Sequence, residues 1–215
     1  MEIYNRTDEQ IFDYWTQLQE MWMSLYSCEL PIICQINGTC PAAGCLMACS
    51  ADYRIMESNP KFKIGLNETQ LGFAAPDWLC WVYQGKCFID SCGSLYDYCS
   101  CSLCIIHIVD VIGKRQGELH LELGSLFSPK EALELGLVDA ITDSNILDLE
   151  AEKMALKFIK VPKKALTTTK QLLRKPKIKY LIDNRERDTL RFIAQVQAPQ
   201  TQKDIGNYIN AMKKK

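Results

Sequence analysis

Residues 31–72 read PIICQINGTCPAAGCLMACSADYRIMESNPKFKIGLNETQLG and decide the fold of this chain. The run 31–36 is short, apolar and rich in isoleucine, which predicts a buried strand. Asn37-Gly38 breaks the run. The small residues of 41–44 predict a tight turn, and 45–49 predict a buried helix. Such a turn leaves the first N–H groups of the helix without intrahelical partners, and these groups stabilise a nearby negative charge.

An acidic residue follows this strand–turn–helix unit on a loop. Short strands are predicted at 52–56 and 62–66, and Glu68 lies just beyond the turn Gly65-Leu66-Asn67. A small-residue turn is usually a packing feature, and a lone glutamate on a loop is usually solvated. The pattern by itself therefore leaves packing and catalysis open.

Three longer motifs carry a family resemblance. They are INGTCPAAGCLMACSADYRI (36–55), NPKFKIGLNETQLG (59–72) and LGSLFSPKEALELGLVDAI (123–141). Together they resemble the enoyl-CoA hydratase/isomerase (crotonase) family, and most of all its mitochondrial Δ3,Δ2-enoyl-CoA isomerase branch. The resemblance implies an α/β fold of the ClpP/crotonase type, a spiral of ββα units with a C-terminal helical extension. The family's N-terminal strands and S-A-G-x-D loop have no counterpart before Thr7, so we expect this part of the fold to be missing.

The resemblance also assigns site residues. Glu68 is implied as the catalytic acid and base, and the N–H groups of Ala43 and Gly44 as the oxyanion and substrate-binding donors. Ala43 stands where the family commonly has Gly, and a positive φ there would be unfavourable. Asn67 is implied to position the acyl chain or Glu68. The apolar surround expected to raise the pKa of Glu68 is Phe73, Ala74, Ala75 and Trp78.

The implied reaction is the shift of a double bond in 3-enoyl-CoA thioesters to trans-2-enoyl-CoA, as in β-oxidation of unsaturated fatty acids. One carboxyl suffices, because the proton removed at C2 is returned at C4. Hydration needs two glutamates, and no second one occurs between Glu68 and Glu118. Hydratase activity and a non-catalytic chain that lacks the N-terminal oxyanion donor remain the alternatives.

Composition limits the class of partner. The chain has 215 residues and a net charge of −1, which argues against general nucleic-acid binding. No apolar run is long enough to predict a membrane span. The partners expected are a fatty enoyl-CoA substrate and two further copies in a homotrimer. No cofactor is expected, since coenzyme A is part of the substrate. The resemblance implies the mitochondrial matrix, although MEIYNRTDEQ shows no transit-peptide pattern.

The cysteines fall into two groups. Cys28, Cys34, Cys40, Cys45 and Cys49 are interpreted as small core residues. Six others lie in an atypical Cys-rich insertion at 80–108, where the family pattern is lost. Cys99, Cys101, Cys104 and His107 have the ingredients of a zinc site, but their spacing lacks paired knuckles, so no metal is predicted. A poorly packed loop or a mis-assembled gene model explains the segment better.

The remaining pattern is helical. Helices are predicted at 7–28, 113–123, from Pro129 to Gly136, at 145–161 and at 162–174, and again after Pro176, which is expected to interrupt the last pair. An edge strand is predicted at 137–141. The partial core is assigned to 1–145 and a helical trimerisation region to 146–215. Basic residues in 170–179 are interpreted as a solvated face or a contact for CoA phosphates.

Overall fold

The structure is a computed structural model that describes residues 2–76, 78 and 111–213. The predicted insertion at 80–108, with its candidate zinc ligands, lies outside the described residues. Helices and strands have the following bounds: α1 Asp8–Ser27, β1 Ile33–Ile36, β2 Cys40–Pro41, α2 Ala43–Ser50, β3 Tyr53–Glu57, β4 Ile64–Gly65, α3 Lys114–Leu123, α4 Pro129–Glu134, β5 Ala140–Thr142, α5 Leu147–Ile159, α6 Lys163–Gln197 and α7 Pro199–Lys213. Short 3-10 helices cover Glu68–Leu71 and Ser144–Ile146.

Successive strands alternate between two parallel sheets. One sheet has the order β1-β3-β5, with Ile33 opposite Tyr53 and Ile55 opposite Ala140. The other pairs β2 with β4. The chain therefore passes from the first sheet to the second and through α2 before it returns one strand further along. This is one turn of a ββα spiral, and the predicted α/β spiral with a helical C-terminal extension is confirmed.

Helices α1 and α6 pack together through aromatic side chains. The rings of Trp15 and Phe192 stack at a centroid distance of 3.6 Å. Asp188 Oδ2 accepts hydrogen bonds from Trp15 Nε1 at 2.8 Å, Trp78 Nε1 at 3.0 Å and Gln19 Nε2 at 2.8 Å. Three donors on one carboxylate oxygen satisfy polar groups that would otherwise be costly to bury. Trp15 lies on the buried face of α1, and Gln19 is fully buried on the same face.

Helix α6 does not stop at Pro176, contrary to the prediction. It runs from Lys163 to Gln197 with Pro176 inside it. Proline removes one intrahelical hydrogen bond, the one that the carbonyl of Leu172 would accept. The side chain of Leu172 is 70% exposed, so this turn lies on the solvent side of the helix. Packing of the rest of α6 on α1 outweighs the local cost.

Asp52 ties the start of the first sheet to α6. Its carboxylate accepts from Lys170 Nζ at 2.6 Å, from Arg174 Nη2 at 2.8 Å and from the N–H of Ile32 at 2.7 Å. The side chains of the three charged residues are between 7% and 16% exposed. Lys170 and Arg174 are therefore neither a solvated face nor free cations for CoA phosphates; they hold α6 against the sheet.

Helices α1 and α4 begin within one residue of their predicted positions, and the C-terminal helices contact the core of their own chain. Thr7 and Ser128 both form complete capping boxes. Helix α5 buries Leu147 and Ala151 against Ile55 of β3. Cys45 and Cys49 lie in the core as predicted, whereas Cys28, Cys34 and Cys40 are half-buried. Trimerisation through 146–215 stays a prediction. Among the described residues, no helix combines the length and apolar character needed to cross a membrane.

Candidate active site

Gly65 fixes the direction in which the chain leaves β4 toward Glu68. Its backbone passes so close to the segment after α3 that a Cβ would lie 2.2 Å from Ser125 O. Ile64 and Phe127 exchange backbone hydrogen bonds of 2.8 and 3.0 Å at this point. A residue without a Cβ is needed where two backbones approach this closely. The turn that carries Glu68 is therefore placed by the sheet and by the segment around Phe127.

The 3-10 helix that begins at Glu68 is held from two sides. Thr69 Oγ1 donates to Leu121 O at 2.6 Å, and Gln70 Nε2 donates to Gly124 O at 2.8 Å. From the other side, Thr201 Oγ1 of α7 donates to the carbonyl of Gly72 at 3.1 Å. Bonds to α3 and α7 thus fix the backbone on either side of the glutamate.

The Glu68 side chain is buried in apolar surroundings. It is 7% exposed, and its Oε2 has no hydrogen-bond partner in the part of the chain that the structure describes. Burial raises the pKa of the carboxyl from 4.5 to about 7, and a hydrogen bond from its own backbone acts in the opposite direction. Removal of the charged form from water is the dominant cause. A carboxyl with a pKa near 7 can take up and release a proton at neutral pH.

Helix α2 begins beside this loop. The N–H of Ala42 donates to Gly65 O at 2.9 Å, and the first helical hydrogen bond runs from Leu46 N to Ala42 O at 3.0 Å. Ala42 has φ 51° and ψ −122°, a conformation that alanine adopts only under strain. The positive φ considered for Ala43 is therefore found one residue earlier. Ala43 is the first helical residue, where an N–H has no intrahelical acceptor.

One cavity brings Ala43 and Glu68 together. Its volume is about 90 Å³. The cavity is lined mainly by apolar side chains and joins the start of α2 to α1, α6 and the N-terminal segment. Its lining residues are Glu2, Ile3, Tyr14, Trp15, Leu18, Ala42, Ala43, Glu68, Leu71, Phe73, Pro76 and Phe192. The first residue of a helix and a buried carboxyl thus share a small, mainly apolar space, as is common at ligand-binding sites.

Two predicted site residues do not line this cavity. Gly44 packs against Cys40, because a Cβ on Gly44 would lie 3.0 Å from Cys40 Sγ. Asn67 is 2% exposed, and its Nδ2 lies 3.5 Å from Tyr208 Oη of α7. The substrate-binding roles of Gly44 and Asn67 stay predictions.

The apolar surround of Glu68 differs from the predicted one. Phe73 lines the cavity as expected, but Ala74 is exposed. Trp78 is buried against the rings of Trp15 and Trp22 instead of lining the cavity. Leu71 and Pro76 join Phe73 on the wall from the stretch after Glu68, and the rest of the wall comes from α1, α6, the start of α2 and the N-terminal segment.

Tyr14 is a cavity residue that the sequence did not reveal. Burial raises the pKa of its phenol, and the carboxylates of Glu2 and Glu68 raise it further, which puts Tyr14 within electrostatic reach of the buried acid. Tyr14 and Leu18 are one helical turn apart on α1. That spacing was the one available signal, and it is equally typical of core packing.

In sequence, this chain is similar to proteins of one known family. The profile of the enoyl-CoA hydratase/isomerase family matches residues 1–87. Mitochondrial enoyl-CoA delta isomerase 1 of Rattus norvegicus is 36% identical over 215 residues, which are 100% of this chain and 66% of the rat protein. The Mus musculus protein of the same name is 34% identical over the same shares. The chain thus spans slightly less than two thirds of the length of these curated relatives.

The fold of this chain is also similar to that of solved structures. Human mitochondrial delta3-delta2-enoyl-CoA isomerase superposes with a TM-score of 0.84 and 33% identity over 99% of this chain and 73% of the human chain. An enoyl-CoA hydratase from Bacillus halodurans, at 21% identity and a TM-score of 0.70, shares the fold. The fold, the motifs and the matches together show that this chain belongs to the enoyl-CoA hydratase/isomerase family.

Proposed function

We propose that this chain moves the double bond of a 3-enoyl-CoA thioester to the trans-2 position, with Glu68 as its acid and base. The observation that carries the proposal is the state of the Glu68 carboxyl. It is buried, its pKa is raised to about 7, and it shares a cavity with the first residue of α2. The similarity to enoyl-CoA delta isomerases supports the choice of substrate class.

The proposed reaction uses two groups of the site. The N–H of Ala43 donates to the thioester oxygen and stabilises the enolate; loss of one such donor typically costs about 10²–10³ in rate. The Glu68 carboxylate removes a proton from C2, and the negative charge spreads from the oxygen to C4. The protonated carboxyl then returns the proton at C4. The proton balance is zero, so the reaction needs no cofactor beyond the coenzyme A of the substrate.

Hydration is a second candidate because a second carboxyl lies on the cavity wall. Glu2 is one of the lining residues. Its side chain, however, is 70% exposed and lies 4.0 Å from Arg6. A carboxylate in solvent and beside a cation is a weak base for holding a reactive water. We therefore favour isomerisation.

The setting of the reaction is part of the proposal. The rodent and human relatives are named as mitochondrial proteins, which supports a mitochondrial matrix location for this chain. A homotrimer through the C-terminal helices is proposed as well. Large apolar side chains are exposed on α6, including Leu172 at 70% and Ile182 at 59%, and a neighbouring subunit would cover such side chains.

The test compares Glu68→Gln with the unaltered protein. Both would be incubated with 3-hexenoyl-CoA, and the products separated as 2-hexenoyl-CoA and 3-hydroxyhexanoyl-CoA. We expect 2-hexenoyl-CoA from the unaltered protein and a rate at least about 10²-fold lower from the variant, because the amide cannot accept the proton. Glu134→Gln, on the exposed side of α4, is the matched control and should keep the full rate.

Other product patterns would support a different function for this chain. Accumulation of the hydroxy product ahead of the 2-enoyl product would support the hydratase instead. A folded protein that binds acyl-CoA but gives neither product would support the non-catalytic alternative. Turnover that persists in Glu68→Gln would remove Glu68 from its assigned role.

A further inference from the structure

The N-terminal segment forms one wall of the cavity that holds Glu68. Ile3 is 5% exposed and lines the cavity together with Leu18 of α1 and Phe192 of α6. These side chains are apolar, whereas the reacting groups at Ala43 and Glu68 are polar. The cavity thus combines the polar reacting groups with apolar side chains that are suited to contact hydrocarbon.

The segment is anchored by its backbone. Gln202 of α7 donates from Nε2 to Ile3 O at 3.1 Å and accepts at Oε1 from the N–H of Asn5 at 2.9 Å. Tyr4 lies directly on Gly206, since a Cβ there would come within 2.8 Å of Tyr4 Oη. Because these contacts do not involve the Ile3 side chain, that side chain can be changed while the segment stays in place.

The size of the cavity limits what fits inside it. Its volume is about 90 Å³. A methylene occupies about the volume of one water molecule, about 30 Å³, so the loss of even one methylene from Ile3 would enlarge this small cavity appreciably. Removing the outer part of the Ile3 side chain would free room for additional carbons of an acyl chain.

We infer that Ile3 is the residue that sets the acyl-chain length this site accepts. The inference rests on the proposed function, because it assumes that the cavity receives the acyl part of a CoA thioester. It goes further by naming the wall that selects among such thioesters. If Ile3 had only a structural role, substituting it would change the stability of the protein but not its preference between acyl-chain lengths.

The test measures binding with ligands that cannot react. Hexanoyl-CoA and dodecanoyl-CoA are saturated, and their Kd values would be determined by titration calorimetry for the unaltered protein, Ile3→Val and Ile3→Ala. A buried methylene is worth about fourfold in affinity. The preference for dodecanoyl-CoA is the Kd for hexanoyl-CoA divided by the Kd for dodecanoyl-CoA. We expect this ratio to rise about fourfold in Ile3→Val and at least about tenfold in Ile3→Ala.

The matched control is Ile205→Ala. Ile205 of α7 is fully buried but does not line the cavity, so this change deletes the same atoms without lengthening the site. Its chain-length ratio should equal that of the unaltered protein. If Ile3→Ala fails to fold, the smaller change Ile3→Val decides the matter.

The outcomes separate the inference from the proposal beneath it. Unchanged ratios in the Ile3 variants, with tight binding of both ligands, would overturn the inference and leave the proposed function intact. An equal shift in Ile205→Ala would also overturn it, because the effect would then be general loosening. If the unaltered protein binds neither acyl-CoA, the proposed function fails and the inference fails with it.

Discussion

Glu68→Gln should become more stable relative to the unaltered protein as the pH rises from 5 to 8. The carboxyl is 7% exposed and its pKa is raised from 4.5 to about 7. Between these two values the folded protein holds the proton that the unfolded chain has released. The free energy of unfolding therefore falls as the pH rises through this window. Gln carries no charge at any pH in the window, so the variant lacks this loss.

The magnitude follows from the pKa values. One pKa unit corresponds to about 1.36 kcal/mol, so a rise from 4.5 to about 7 corresponds to about 3 kcal/mol in full. Between pH 5 and pH 8 the portion realised is about 2.5 kcal/mol. Because the side chain is buried, screening by solvent does not reduce this figure as it would at the surface.

The assay is urea unfolding of both proteins at pH 5, 6, 7 and 8, followed by circular dichroism. The quantity of interest is the free energy of unfolding of Glu68→Gln minus that of the unaltered protein. It should increase by about 2.5 kcal/mol across this range. Glu134→Gln, which changes an exposed carboxyl on α4, controls for general effects of removing one negative charge.

A difference that stays constant from pH 5 to pH 8 would refute the argument. It would mean that the Glu68 carboxylate is solvated in the folded protein and that the cavity does not raise its pKa. If the Glu68 carboxyl were fully ionised at pH 5, there would also be no physical reason to assign proton transfer to this residue.

Two further predictions concern the backbone and the charges around the sheet. Ala42→Gly should raise the free energy of unfolding by about 1 kcal/mol, because glycine adopts the φ of 51° without strain, whereas Ala48→Gly inside α2 should lower it by a similar amount. Urea unfolding of the two variants checks both signs. Destabilisation by Ala42→Gly would show that Ala42 is not strained. Asp52→Asn should cost about 3–5 kcal/mol, since it leaves the two buried cations of α6 without their carboxylate. The control Asp183→Asn removes an exposed partner and should change stability by less than about 1 kcal/mol, and an equal loss in both variants would contradict the prediction.

The sequence by itself determined the local framework of this protein. The apolar run before Asn37-Gly38 and the small residues after it predicted β1, the turn and α2. Ser128 as N-cap and Pro129 at the first helical position predicted the start of α4. These features depend on neighbours within a few positions, so spacing and residue type are sufficient to reveal them. The role of Glu68 as candidate acid and base came from the resemblance of this stretch to a known family, because the local pattern alone left packing and catalysis open.

The tertiary structure decided how that framework becomes a site. Helix α6 continues through Pro176 because packing against α1 outweighs a local cost. The strained φ falls on Ala42, where β2 pairs with β4 and the chain turns sharply into α2. Burial raises the pKa of Glu68, and the cavity in which it is buried is lined by residues as distant in sequence as Ile3 and Phe192. Desolvation depends on which surfaces meet in space, and only the folded chain brings those surfaces together.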